Sequence, residues 1–365
     1  MSKHVYKELL KVMQNRGGVY AGSDISEFYE MVEELFTPEE AEVNNAMPKT
    51  PFTPRDMADK MGKNEPELEE ILEAMANKGL CIALTIEGTQ MYRGAMFMPG
   101  ILEFQLMSGK TTERDKRIAR LIHAYKKTCD EKMDATAMTF PAIRVITVDR
   151  TVEPGNQVHT YDQVQTFIDQ YDPIAASTCF CRHSAALRGE DTHGMPNDVC
   201  MQFGPAAQFA IERLGARNLT KAEAREVLDR AEEAGLIHMS QNSQEMAGNV
   251  NELIFLCNCD RWHCHAVTDA LAKPKPGVFF NSGFEPRFDG EICVACETCL
   301  DRCPPEALAM GEDDVPEVDL DRCFGCAVCA TGCPSEAITM VNKAGFFEPP
   351  KDGAALMDAV KESLT

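Results

Sequence analysis

Residues 7–13 and 28–36 carry apolar side chains at helical spacing, and Gly17-Gly18 stops the first of these patterns. A Pro-rich stretch over 47–52 follows. Thr53-Pro54-Arg55-Asp56 then predicts a helix start: Thr53 can cap it, Pro54 suits its first turn, and Gly62 ends it. Glu65-Pro66-Glu67 opens another helix, with Leu68, Ile71, Leu72 and Met75 on one face and Gly79 as the stop. Residues 80–86 and 91–98 read as strands joined through 87–90. Further on, 144–148 reads as a strand and 161–170 as a helix ending before Asp172-Pro173. Thr220 and Glu223 form a capping box for a helix that runs to Gly235. A short apolar run, 253–256, leads into Cys257, and 354–364 reads as a tail helix.

The chain is 365 residues long, enough for two or three domains of roughly 100–200 residues each. The expected fold class is α+β in four parts. A helical, winged-helix-like docking domain covers 1–130, and a central mixed α/β, Cys-rich domain covers 131–272. A ferredoxin-like dicluster domain covers 273–345, opening on the linker Lys273-Pro274-Lys275-Pro276-Gly277. A tail helix lies in 346–365.

The helix–turn–helix–hairpin order over 53–98 resembles a winged helix. A DNA reader needs Arg, Lys, Asn or Gln facing base edges. The second helix reads ELEEILEAMANKG, and its outward face is acidic. With 36 Lys+Arg against 58 Asp+Glu, a net charge of −22, the chain repels phosphate backbones. Docking is the reading we carry forward, with no nucleic-acid partner. No run approaches the roughly 18 apolar residues of a spanning helix, and the N-terminus lacks a signal-type apolar core. The expected location is cytoplasmic.

Sixteen cysteines change the picture. In a reducing compartment, clustered Cys point to metal or redox chemistry rather than disulfides. Cys81 and Cys129 stand apart and read as small buried hydrophobes; the rest lie between Cys179 and Cys333. The stretch CVACETCLDRCPPEALAM recurs thirty positions later as CFGCAVCATGCPSEAITM. Each copy has the spacing C-x₂-C-x₂-C-x₃-C-P, the bacterial ferredoxin run for two [4Fe–4S] clusters. Zinc ribbons would need two separated C-x₂-C knuckles instead. The region resembles the dicluster ferredoxin domain, a pseudo-twofold pair of β-α-β-type halves. That pattern assigns Cys293, Cys296, Cys299 and Cys333 to one cluster, and Cys323, Cys326, Cys329 and Cys303 to the other.

Six further cysteines lie in STCFCRH, NDVCMQFG and FLCNCDRWHCH: Cys179, Cys181, Cys200, Cys257, Cys259 and Cys264. Count alone leaves iron and zinc open here. The motifs I-A-x₃-C-x-C-R-H (174–183), P-x-D-V-C-M-x-F-G (196–204), A-E-E-A-G-L-I-H (231–238) and C-N-C (257–259) resemble a family of iron–sulfur proteins from anaerobes. Relatives of that pattern carry additional cysteines where this chain has His193, Asp260 and Trp262. The resemblance implies a third [4Fe–4S] cluster in the central domain, with His193 and His263 as further candidate ligands. Arg182 is expected to offset cluster charge and Trp262 to shield the site from water.

No Gly-rich dinucleotide loop, P-loop or nucleophile elbow is present in the sequence, so no catalytic residue is assigned. The expected function is passage of single electrons between redox partners, including a larger oxidoreductase complex, in anaerobic energy metabolism. Two other readings follow from the sequence. One is a redox enzyme subunit with chemistry at an irregular central iron–sulfur site. The other is an iron–sulfur sensor acting through the winged helix.

Overall fold

The computed structural model describes residues 2–132, 140–156, 163–243, 254–344 and 348–363. Among the described residues helix accounts for 44% and strand for 18%, so the fold is mixed as expected. The chain forms two compact units: Met1–Asp134 with Ser177–Thr192 and Ala207–Arg217, and Ala135–Ala176 with His193–Ala206 and Asn218–Thr365. The pair Cys179 and Cys181 therefore belongs with the N-terminal helices, and the other central cysteines belong to the second unit.

In the first unit, the helices Ser2–Arg16, Ser26–Leu35, Pro54–Met61 and Glu65–Asn77 form where apolar spacing and caps predict them. Thr53 accepts a hydrogen bond from the Asp56 amide, and the Asp56 carboxylate accepts one from the Thr53 amide. The hairpin Cys81–Ile86 with Thr89–Gly94 turns through Glu87-Gly88, both at positive φ. Helices Pro38–Ala46 and Glu113–Lys132 were not anticipated from apolar periodicity. Helix Phe180–Leu187 packs on Glu113–Lys132 and on Ile101–Phe104. On helix Glu65–Asn77 the residues Glu65, Glu67, Glu69 and Glu70 are exposed, so its free face is acidic. No helix among the described residues is long and apolar enough to cross a membrane.

The second unit is organised by a six-stranded sheet. Its order is Ile143–Ile146, Ile237–Gln241, Ile254–Cys259, Cys200–Phe203, Ile174–Ser177 and Arg217–Leu219. Successive strand residues face opposite sides, and the burial follows that rule. Ile146, Ala176, Met201, Phe203, Ile254 and Leu256 pack with Val227, Leu228 and Ala231 of helix Lys221–Glu233. Val145, Ile237, Met239 and Cys259 pack on the other face, with Cys264, Val267, Phe280, Phe324, Cys326 and Val328. The thiol-bearing face of the sheet is thus covered by the second cysteine run.

That C-terminal region is itself a repeat in space. Strand Phe284–Phe288 pairs antiparallel with Ile338–Asn342, and Leu308–Met310 with Pro316–Val318. Short helices Thr298–Arg302 and Val328–Thr331 follow the two cysteine turns. The stretch read as a linker is packed: Pro276 and Gly277 are buried, and a Cβ on Gly277 would meet the Cys323 carbonyl oxygen at 2.5 Å. Of the tail, helix Gly353–Ser363 is described. The helix read over 161–170 is described from Val164, because 161–162 lie outside the described residues.

Candidate metal centres

The two C-terminal cysteine runs fold into matched turns. Positive φ recurs at thirty-residue intervals: Ala295 and Gly325, Glu297 and Ala327, Glu306 and Glu336. Such a turn directs successive backbone N–H groups inward, toward anionic ligands. Two of these N–H groups already reach sulfur: Ala307 N–H donates to Cys303 Sγ and Ala337 N–H to Cys333 Sγ, each at 3.3 Å. The fourth cysteine of each run sits across the repeat from its own turn. One pocket is lined by Cys293, Cys296, Cys299 and Cys333. Another is lined by Cys303, Cys323, Cys326 and Cys329.

The donor set suits iron–sulfur chemistry. Each pocket presents four sulfurs, the second among apolar side chains and backbone with no carboxylate or imidazole, the first with Ser335 and the exposed Glu297 also in its lining. Burial pushes the Cys303 thiol up to about 11 and the thiols of Cys326 and Cys329 higher still, because an unneutralised thiolate is costly in that setting. A bound cation removes that cost, since a coordinating thiol gives up its proton to the metal. In the first pocket Cys296 is exposed, and its hydrogen bond with Thr298 (3.3 Å) holds its thiol below the ordinary range.

Residues 281–337 match the family model of the 4Fe-4S dicluster domain. The C-terminal region is therefore a ferredoxin-like domain that carries [4Fe–4S] clusters, and its role is iron–sulfur electron transfer in general terms. No curated protein matches the chain.

The central cysteines fall into two groups. In the first unit Cys179 and Cys181 hydrogen-bond to one another, which together with burial raises Cys179 well above the ordinary thiol range. Arg182, 1% exposed, opposes that shift through its charge. The turn is fixed by Thr178 N–H donating to the Met107 carbonyl (3.2 Å) and by His183 Nε2 at 2.8 Å from the Lys110 carbonyl. In the second unit Cys259 hydrogen-bonds to both Cys257 and Cys264, and these bonds with burial raise its thiol strongly. Cys200 lies on the neighbouring strand. The ladder pairs Met201 with Leu256, so the next register position sets Cys200 opposite Cys257, on the same face. Among the described residues no group of three or more His, Cys, Asp or Glu is gathered tightly enough for a single metal ion.

The candidate histidines lie together in the second unit. His193, at φ 53°, stacks on Trp262 with ring centroids 4.4 Å apart, and His263 lies 5.8 Å from His193. His263 Nδ1 is 3.2 Å from the Asp260 carboxylate, which also accepts from the Trp262 and His263 amides. Trp262 is 45% exposed, so it lies at the surface rather than closing a dry site.

Sequence reasoning missed the arginines that tie the cluster turns down. Arg302, between Cys299 and Cys303, donates to the carbonyls of Glu232 (2.7 Å) and Glu233 (2.9 Å). Arg322, next to Cys323, donates to the Pro305 carbonyl at 2.9 Å. Their place beside ligand cysteines was the available signal.

Proposed function

We propose that the chain passes single electrons along three iron–sulfur centres. Cys293, Cys296, Cys299 and Cys333 hold the outer cluster, and Cys303, Cys323, Cys326 and Cys329 the inner one. Cys200, Cys257, Cys259 and Cys264 hold a third cluster. One observation supports the sequence of centres above the rest: Cys326 of the inner set shares one apolar cluster with Cys259 and Cys264, together with Phe324, Phe280 and Val328. Each cubane changes by one electron when bound. The protein's own part is to set order and surroundings: an exposed outer thiolate meets a partner, and buried side chains keep water from the inner route. Cys179, Cys181 and Arg182 form a second thiol-bearing turn on the first unit, and the helical first unit serves as the docking part. We place the protein in anaerobic energy metabolism, with redox proteins as partners, on the central motif resemblance.

Iron and acid-labile sulfide analysis of anaerobically purified protein tests this reading. It expects about twelve irons, three cubanes of four. About eight would remove the central cluster, and zinc in place of iron would remove the electron-transfer role. The sensor reading is disfavoured by Glu65, Glu67, Glu69 and Glu70 on the exposed helix face, where phosphate would be repelled.

A further inference from the structure

A buried polar chain runs through the second unit on the face of the sheet opposite the thiols. Asn258 stands between Cys257 and Cys259 and is 2% exposed. Its Nδ2 donates to the Val199 carbonyl at 2.6 Å. That leaves Oδ1 toward His238, whose Nδ1 donates to it at 2.5 Å. His238 Nε2 lies 3.3 Å from the Glu232 carboxylate, and Glu232 pairs with Arg150 at the surface. Buried polar groups are costly unless they are paired, so a chain of this length in an apolar layer calls for a reason.

Register supplies one. Strand Cys200–Phe203 runs beside Ile254–Cys259 only as far as Met201 opposite Leu256. The next positions are Cys200 opposite Cys257, then Val199 opposite Asn258. The Asn258 amide therefore bridges the two strands one step beyond the cysteines, where the backbone ladder has ended. On the other edge His238 is directly opposite Asn258, between the pairs Ile237–Cys259 and Met239–Cys257. One side chain thus ties three strands together at the level of three candidate thiols. Glu232 adds a second link, since its carbonyl holds Arg302 between Cys299 and Cys303.

We propose that Asn258, His238 and Glu232 are positioning residues: a clamp that fixes the Cys200 arm against the Cys257–Cys259 arm and so sets the geometry of the central iron–sulfur site. The three motifs NDVC, AEEAGLIH and CNC meet in this clamp. The proposal rests on the reading that a third cluster sits on those cysteines. Partners that orient metal ligands are worth roughly 10–100-fold in metal affinity.

The test uses the full chain, purified anaerobically, with an iron chelator titration followed by iron analysis and EPR. In Asn258→Leu the central cluster should yield its iron to roughly 10–100-fold less chelator and show shifted g-values. The two C-terminal signals should stay as they are. Asn258→Asp keeps the acceptor for His238 but loses the donor to Val199, and should show the same loss; it decides the matter if the Leu variant does not fold. His238→Gln, which can still donate, should retain more central iron than His238→Leu. Leu228→Ala, a core change on the same face, should lower thermal stability without moving the central signal. Unchanged iron retention and g-values in the Asn258 variants, or an equal shift in Leu228→Ala, would overturn the clamp. Wild-type protein with about eight irons and no third signal would instead reject the central cluster itself.

Discussion

The two C-terminal cysteine turns are near copies in sequence and in backbone, yet they live in different surroundings. Around the outer turn Ile292 and Val294 are 48% and 64% exposed, and Cys296 faces solvent. Around the inner turn Phe324, Ala327 and Val328 are buried, and Cys326 and Cys329 with them. The outer turn places Ala295 where the inner places Gly325, because a Cβ at 325 would meet the Phe284 carbonyl oxygen at 2.2 Å and Ser282 Oγ at 2.3 Å. The cysteine spacing thus dictates how four sulfurs gather, while the residues between and behind the cysteines dictate how much water each set meets. On the proposed function, the exposed turn is the contact point and the buried turn the relay.

The sharpest way to break this comparison is to exchange the paired residues. Gly325→Ala should lose the inner cluster and destabilise the fold by at least about 2 kcal/mol, since it combines a positive-φ penalty with backbone overlap. Ala295→Gly should leave iron content unchanged and stability within about 1 kcal/mol. Iron analysis and thermal unfolding read both, and equal effects would remove the asymmetry. Phe324→Ala should cost about 3–5 kcal/mol, as a fully buried ring is lost, whereas Val294→Ala should fall within about 0.5 kcal/mol.

Ligand deletion sharpens the same contrast. Cys299→Ala should abolish the outer signal in EPR and leave the inner one altered but present, because one thiolate serves one cubane. Retention of all the iron would contradict the assignment. Limited exposure to air should bleach the outer cluster before the inner, following the exposure of Cys296; loss at equal rates would count against a buried relay. The smallest effect concerns potentials. Reduction adds negative charge, and burial disfavours it, so the inner cluster should have the more negative midpoint.

Much of this was readable beforehand because it is local. Both cysteine runs, the Thr53 and Thr220 caps and the Gly stops at 17, 62 and 235 act within a few residues. The Glu113–Lys132 helix was not read, although Thr112 and Asp115 cap one another as Thr53 and Asp56 do, because its apolar pattern is weak. Thr37 and Glu40 announce Pro38–Ala46 in the same form. Strand order was not legible, because it depends on pairings such as Ile146 with His238 across some ninety residues. Nor was the partnership of Asn258 with His238 and Val199. Single polar residues inside apolar strands carry no signal of whom they face until register is known.

A potentiometric EPR titration of the anaerobically purified full chain tests the path of three centres. Three centres should give three one-electron transitions, with the central spectrum broadening once the inner cluster is reduced. Two transitions, with no response of either to a third centre, would contradict it.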